Sequence, residues 1–274
     1  MSILIHAGSK LGKSTLSGTA PKPILVLDAE GSWRFIAVRK VYWDPDTGAP
    51  PPEYDGTWDA CVVQVQRWDT VENVYRWITQ YQTPFVSVVI DSITELQRRL
   101  KQNLVGTEAM RIQDWGVLLA KMDDKIRGYR DLTLIPQINV RCVVFIAETR
   151  QRHSDNKWVP FMQGQIGVAL PYWMDLVGYM YPDWERDENG QPTQEVRRLW
   201  ISPHPEYEAG ERVQGRLGQY ITIDKPPVGT SGDDIERWMQ VVFDVTPATV
   251  TVETPNGAQP SEVPAETTVE GTNR

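Results

Sequence analysis

The chain is poor in cysteine and histidine, and its charge balance is not basic. Its 274 residues include two cysteines, Cys61 and Cys142, each inside an apolar run and without CxxC spacing. That excludes a disulfide framework and a thiolate zinc site, and it fits a reducing cytoplasm. The three histidines, His6, His153 and His204, are scattered and form no ligand cluster. A formal net charge of −8 excludes a uniformly basic, nucleic-acid-coating surface but leaves room for a local positive groove. Long apolar runs are missing too. The longest, such as CVVFIA at 142–147, are strand-sized, so a soluble protein with no membrane partner is expected. Aromatic residues vanish from 245–274, a Thr-, Pro-, Glu- and Val-rich stretch with four glutamates and one arginine, and this acidic tail is expected to be disordered.

Residues 1–244 are different. With hydrophobic residues at 41% of the chain, this length buries a core sufficient for one α/β domain with decoration. A short apolar strand, Ile3 to Ile5, leads directly into AGSKLGKS at 7–14, which has the form of a phosphate-binding loop. Glycines let such a loop curl so that successive N–H groups face phosphate oxygens, and a lysine brings a cation to the β- and γ-phosphates. Gly8, Ser9, Lys10, Leu11, Gly12, Lys13, Ser14 and Thr15 are therefore the expected cradle for ATP, with the Ser14 hydroxyl as a ligand to Mg2+. Two departures stand out: Ala7 occupies the position where Gly is usual, and Lys10 puts a second cation inside the loop. Because the strand starts at the second or third residue, no domain and no secretory signal are expected before it.

Further along, the pattern alternates between strands and helices. A helix is expected at 13–17 and a buried strand at 24–27, ending in Asp-Ala-Glu. The proline-rich 43–56 reads as an irregular surface loop. A strand at 61–66 precedes Asp69-Thr70-Val71-Glu72, whose capping-box spacing predicts a helix start. The run at 86–90 ends in Asp91 and leads to helices at 93–104 and 113–129. Another strand at 142–147 ends in Glu148-Thr149-Arg150, and a polar stretch follows to about 164. Segments 176–181 and 196–202 flank an Asp-Glu-Asn-Gly turn and read as an antiparallel hairpin, with 220–223 as a further strand. The expected fold is thus α/β, a mostly parallel sheet flanked by helices with an antiparallel C-terminal extension.

In open α/β sheets ligands bind at the carboxyl ends of the strands, which places the loop, Glu30 and Asp91 together on neighbouring parallel strands. Asp91 is suited to hold Mg2+, directly or through water. Glu30 is suited to orient and deprotonate an attacking water. These residues, in VLDAEGSW (26–33) and VVIDSITEL (88–96), resemble the RecA-like branch of P-loop ATPases, in which the glutamate after the second strand activates water and the strand-end aspartate belongs to the magnesium site. QDWGVLLAKMDD (113–124), VVFIAETR (143–150) and PYWMDLVGYM (171–180) are similar to the phage-encoded, Sak-type single-strand annealing ATPases, and the resemblance covers residues 2–177. It implies a catalytic set of Lys13, Glu30, Asp91 and a γ-phosphate sensor at the end of the 142–147 strand. An ionised Glu148 would repel phosphate, which leaves neutral Thr149 or cationic Arg150 as sensor and Glu148 as an anchor for a nearby lysine or arginine.

The same resemblance implies DNA recombination activity in the cytoplasm of a host cell, with single-stranded DNA, a single-strand-binding protein and further copies of the chain, in a ring or filament, as partners. The stretch at 150–161 mixes Arg150, Arg152, His153 and Lys157 with Trp158 and Phe161, which suits phosphate attraction and base stacking. Arg98, Arg99, Lys101 and Arg111 form a second basic region. Among Arg197, Arg198, Arg212 and Arg216, the last two are the leading candidates for an arginine finger reaching a neighbouring subunit. Two other functions remain open from sequence: a nucleotide-switched assembly or loader factor acting without DNA, and a phosphotransferase. No recognisable acceptor site or arginine-rich lid favours the latter.

Overall fold

The apolar runs alternate between two cores. In the computed structural model, which describes residues 1–223 and 232–243, the elements in chain order are β1 (Ser2–Ala7), α1 (Lys13–Ser17), β2 (Ile24–Asp28), β3 (Lys40–Tyr42), β4 (Ala60–Gln64), α2 (Trp68–Gln80), β5 (Ser87–Asp91), α3 (Ile93–Val105) and α4 (Ile112–Asp131). They continue as β6 (Cys142–Gln151), β7 (Trp158–Pro160), α5 (Ile166–Trp173), β8 (Leu176–Arg186), β9 (Pro192–Trp200), β10 (Gly210–Glu211), β11 (Tyr220–Ile223) and α6 (Asp234–Phe243). Successive strand side chains point to opposite faces. Leu25, Leu27, Val88, Ile90, Val143 and Phe145 therefore meet α2 to α5 on one side. Ile24, Val26, Val89, Val144 and Ile146 meet Leu16 of α1 and Ile235, Trp238 and Met239 of α6 on the other. Strands covered on both faces have to read as unbroken apolar runs, as these do.

The sheet runs β11-β9-β8-β1-β6-β5-β2-β4-β3, with β10 paired to β8 and β7 to β6. The strands from β8 to β3 are mutually parallel, and β9, β10 and β11 form an antiparallel extension. This is a RecA-like P-loop α/β fold. Its order corrects one expectation: β6 lies between β1 and β5, so the phosphate loop and Asp91 are not on adjoining strands. The inserted strand delivers Glu148 and Thr149 between them.

Other differences are local. The helix expected to start at a capping box of Asp69 and Glu72 begins instead at Trp68, with Arg67 as an N-cap that makes no side-chain bond. Glu72 is drawn into a tertiary role, accepting from the Trp68 indole at 3.0 Å and pairing with Lys125 at 2.7 Å. The loop at 43–56 is not wholly irregular. It makes a 3₁₀ turn at Pro45–Thr47 and is tied to α2 through Asp46, which accepts from Arg67, Thr70 and Asn73. The polar stretch after β6 contains β7, and short edge strand β3 and helix α5 carried no clear periodic signal; α6 did, since Ile235, Trp238, Met239 and Val242 repeat at i, i+3, i+4 and i+7, but it was not anticipated. No helix among the described residues is long and apolar enough to cross a membrane. The tail at 245–274 lies outside the described residues.

Candidate functional site

A cavity of about 520 Å³ opens at the carboxyl ends of β1, β6, β5 and β2. It is lined by the loop residues Gly8, Ser9, Lys10, Gly12, Lys13, Ser14 and Thr15, together with Glu30, Asp91, Glu148 and Thr149. Four strand ends that are far apart in sequence thus bring the expected catalytic set into one space. The loop's curl depends on left-handed backbone at Lys10 (φ 60°) and Gly12 (φ 94°). Gly12 accommodates this readily, whereas Lys10 spends some strain on it. No N–H group from Ser9 to Ser14 donates a loop or turn hydrogen bond among the described residues. A concave run of unspent donors beside a lysine is what a polyphosphate requires, so the loop fits ATP.

Lys13 folds back onto the loop, donating to the carbonyls of Ala7 at 3.2 Å and Gly8 at 2.8 Å. Burial pushes its pKa down, opposed by the charges of Glu30, Asp91 and Glu148. Asp28 and Asp91 end adjacent strands in register. Asp28 is consumed locally, accepting from the N–H groups of Gly31, Ser32 and Trp33 at 2.8, 3.2 and 3.1 Å, and this shapes the turn that presents Glu30. Asp91 accepts from the Ser32 hydroxyl at 3.0 Å and the Trp33 indole at 3.1 Å. It forms no ion pair among the described residues, and burial raises its pKa. The Ser14 hydroxyl lies 3.3 Å from that of Ser32. A buried carboxylate lacking a protein cation, joined through Ser32 to a serine hydroxyl, is an oxygen donor set that suits Mg2+.

Glu30 accepts a hydrogen bond of 2.5 Å from the Ser92 hydroxyl, and that hydroxyl also caps α3 by accepting from the Glu95 N–H at 3.2 Å. Burial raises the Glu30 pKa, the Ser92 bond opposing it. Glu148 anchors an arginine as expected: Arg98 grips both its oxygens, at 2.6 and 2.7 Å, and this holds its pKa down. Thr149 reaches the cavity wall, but its hydroxyl donates to the Val159 carbonyl at 3.1 Å and lies 3.2 Å from His6 Nδ1. The His6 Nε2–H donates to the Glu208 carbonyl at 2.7 Å.

The remaining candidates lie elsewhere. Arg150 stacks over Phe161, with 5.2 Å between its Cζ atom and the ring centroid. Arg152 pairs with Asp155 at 2.6 Å, and Lys157 lies 3.6 Å from Glu208. Trp158 is 36% exposed. In the second basic region Arg98 and Arg99 are ion-paired to Glu95 within α3, and Arg111, the N-cap of α4, to Asp114 in that helix's first turn. Much of the charge expected to attract DNA is therefore already compensated. Arg212 and Arg216 border a different cavity with Met1, at the amino end of the sheet, and bind the carbonyls of Tyr172 and Val242. They lie far from their own chain's phosphate loop.

Sequence reasoning missed Ser32 and Phe35, which line the cavity and follow Glu30 too closely in sequence for periodicity to single them out. Phe35 is 76% exposed, an apolar ring face at the cavity mouth. It also considered Arg197 only as a group acting on another subunit, whereas the side chain rests on its own phosphate loop, 3.2 Å from the Leu11 carbonyl. Strand alternation in the 196–202 segment was the signal for this: it separates Arg197 from its neighbour Arg198, which pairs with Asp183 at 2.6 Å.

Fold and site together define a P-loop ATPase. A family model described as an AAA domain (AAA_24) matches residues 1–213, and the chain belongs to that family. No curated protein matches the chain. Members of the family bind nucleotide, usually with Mg2+, and generally hydrolyse ATP.

Proposed function

We propose that the chain is a Mg2+-dependent ATPase in which Glu30 accepts the proton of the attacking water. One observation carries this reading: Glu30 borders the same cavity as Lys13 and, among the described residues, has no cation within ion-pairing distance. A carboxylate that is desolvated yet unpaired is a better base than one neutralised by arginine. The water oxygen bonds to the terminal phosphorus as the bond to the bridging oxygen breaks, the proton passes to Glu30, and ADP and phosphate result. Lys13 leaves the Ala7 and Gly8 carbonyls to neutralise phosphate charge, and Ser14 and Asp91 would hold the metal. When bound, Mg2+ would supply charge neutralisation at the phosphates. Incubation with ATP and Mg2+ should release one phosphate per ADP. Phosphate transferred to an organic acceptor, with none released, would make the chain a phosphotransferase and end this reading.

The work served by hydrolysis is single-stranded DNA binding and annealing by an oligomer, in a recombination process of phage type. Support comes from the hairpin of β6 and β7, which carries Thr149 at its base, Arg150 stacked on Phe161 on one face and Trp158, opposite Gln151, on the other. Cationic and aromatic groups suited to single strands are thereby joined to the strand that walls the nucleotide cavity. The internal pairing of Arg98, Arg152 and Lys157 favours a second reading, a nucleotide-switched assembly factor acting through protein contacts. Absence of any fluorescence-anisotropy change with labelled single strands at low salt would leave only that second reading.

A further inference from the structure

β8 pairs with β1 only as far as Tyr179 opposite His6 and then runs on to Arg186. β9 follows it, with Arg197 opposite Pro182, three residues past the last β1 pair. At a strand rise of ~3.3 Å per residue this is about 10 Å beyond His6, so the β8–β9 hairpin overhangs the phosphate loop. Arg197 descends from that overhang. Its Nη1 donates to the Leu11 carbonyl at 3.2 Å, and the guanidinium lies so close above Gly12 that a Cβ there would stand 1.9 Å from Nη1 and 3.1 Å from Cζ. Glycine at position 12 thus meets two demands, a left-handed backbone and room for this arginine.

The charge of Arg197 is not otherwise used. It makes no ion pair among the described residues, in contrast to Arg198, which is held by Asp183 and the Tyr220 ring. A guanidinium has five N–H donors, and the contact with Leu11 occupies one of them. Two cations of the same chain, Lys13 and Arg197, therefore rest on carbonyls of the loop.

We infer that Arg197 is a phosphate-binding residue acting in cis: it exchanges the Leu11 carbonyl for oxygens of the nucleotide's phosphate chain and draws the β8–β9 hairpin onto the bound nucleotide. This deepens the ATPase reading and rests on it. The arginine fork suits the task because its charge-assisted bonds to phosphate are stronger than a bond to a neutral carbonyl.

The test is equilibrium binding of ATP and of inorganic tripolyphosphate, which lacks base and ribose, to the full chain. Arg197→Gln keeps an amide donor for the Leu11 carbonyl but removes the charge, so it separates phosphate binding from mere bracing of the loop. Both Kd values should rise about tenfold in Arg197→Gln, with a ligand-free unfolding temperature equal to that of the wild type, and stay unchanged in Arg198→Gln. Wild-type affinity in Arg197→Gln would overturn the inference alone. A wild-type chain that binds neither ligand would overturn the ATPase reading along with it.

Discussion

Ser92 gives its hydroxyl proton to Glu30 and its lone pair to the Glu95 N–H, so one side chain aims the base and caps α3. Ser92→Ala should lower kcat for ATP hydrolysis about tenfold by letting the carboxylate turn, with ATP affinity unchanged. Loss of the cap should cost about 1 kcal/mol of stability. Ser92→Thr, which retains the hydroxyl, should recover most of the activity; steady-state kinetics and thermal melts check both effects. At this scale the sequence was readable where a residue type has a single purpose. Lys13 and Asp91 stand out through chemistry and position. Ser32 did not, because a serine after glycine carries no periodic signal until Asp28 folds the turn back on its strand.

The β6–β7 hairpin joins the nucleotide cavity to the exposed Trp158 through Thr149, His6 and the segment around Glu208. Backbone bonds from the Trp158 N–H to Glu206 and from the Glu208 N–H to Trp158, each 2.8 Å, fasten that segment to β7. His6 sits under this junction, and burial depresses its pKa from 6.5 to about 4. The unfolded chain therefore binds a proton between pH 6.5 and 4 that the folded chain refuses, so the neutral ring's contribution is full above 6.5 and falls as pH drops through that window. The loss reaches ~3 kcal/mol at most. Denaturant melts from pH 7 to 5 should show a steeper loss of stability in the wild type than in His6→Asn, and equal slopes would contradict the assignment. The unbroken apolar run at 142–147 predicted β6 as far as Ala147, four residues short of its end at Gln151. It did not predict β7, whose three residues acquire their strand conformation by pairing with β6 and with the segment after β9.

For the whole molecule, the two-sided burial of the sheet was legible in the unbroken apolar runs, and the antiparallel extension in the turn between β8 and β9. Strand order was not, since the insertion of β6 between β1 and β5 depends on how the long α3–α4 crossover returns to the sheet. Nor was charge compensation: cations counted along a sequence look free until folding pairs them with carboxylates. That bears on the DNA reading, which now depends on Arg150, Lys101 and stacking on Trp158 more than on a broad basic surface. Trp158→Ala should weaken single-strand binding by about 1–3 kcal/mol with little change in its salt dependence, whereas Arg150→Ala should reduce the salt slope by about one. Anisotropy titrations at several salt concentrations separate the two.

The central claim is that four strand ends assemble a hydrolytic site in which Glu30 is the base. Phosphate release by Glu30→Gln, measured beside its equilibrium affinity for ATP, tests this most directly. Turnover should fall by at least about 100-fold while ATP affinity stays within about threefold of wild type. Turnover at the wild-type rate with ATP bound normally would remove Glu30 from the mechanism and contradict the account.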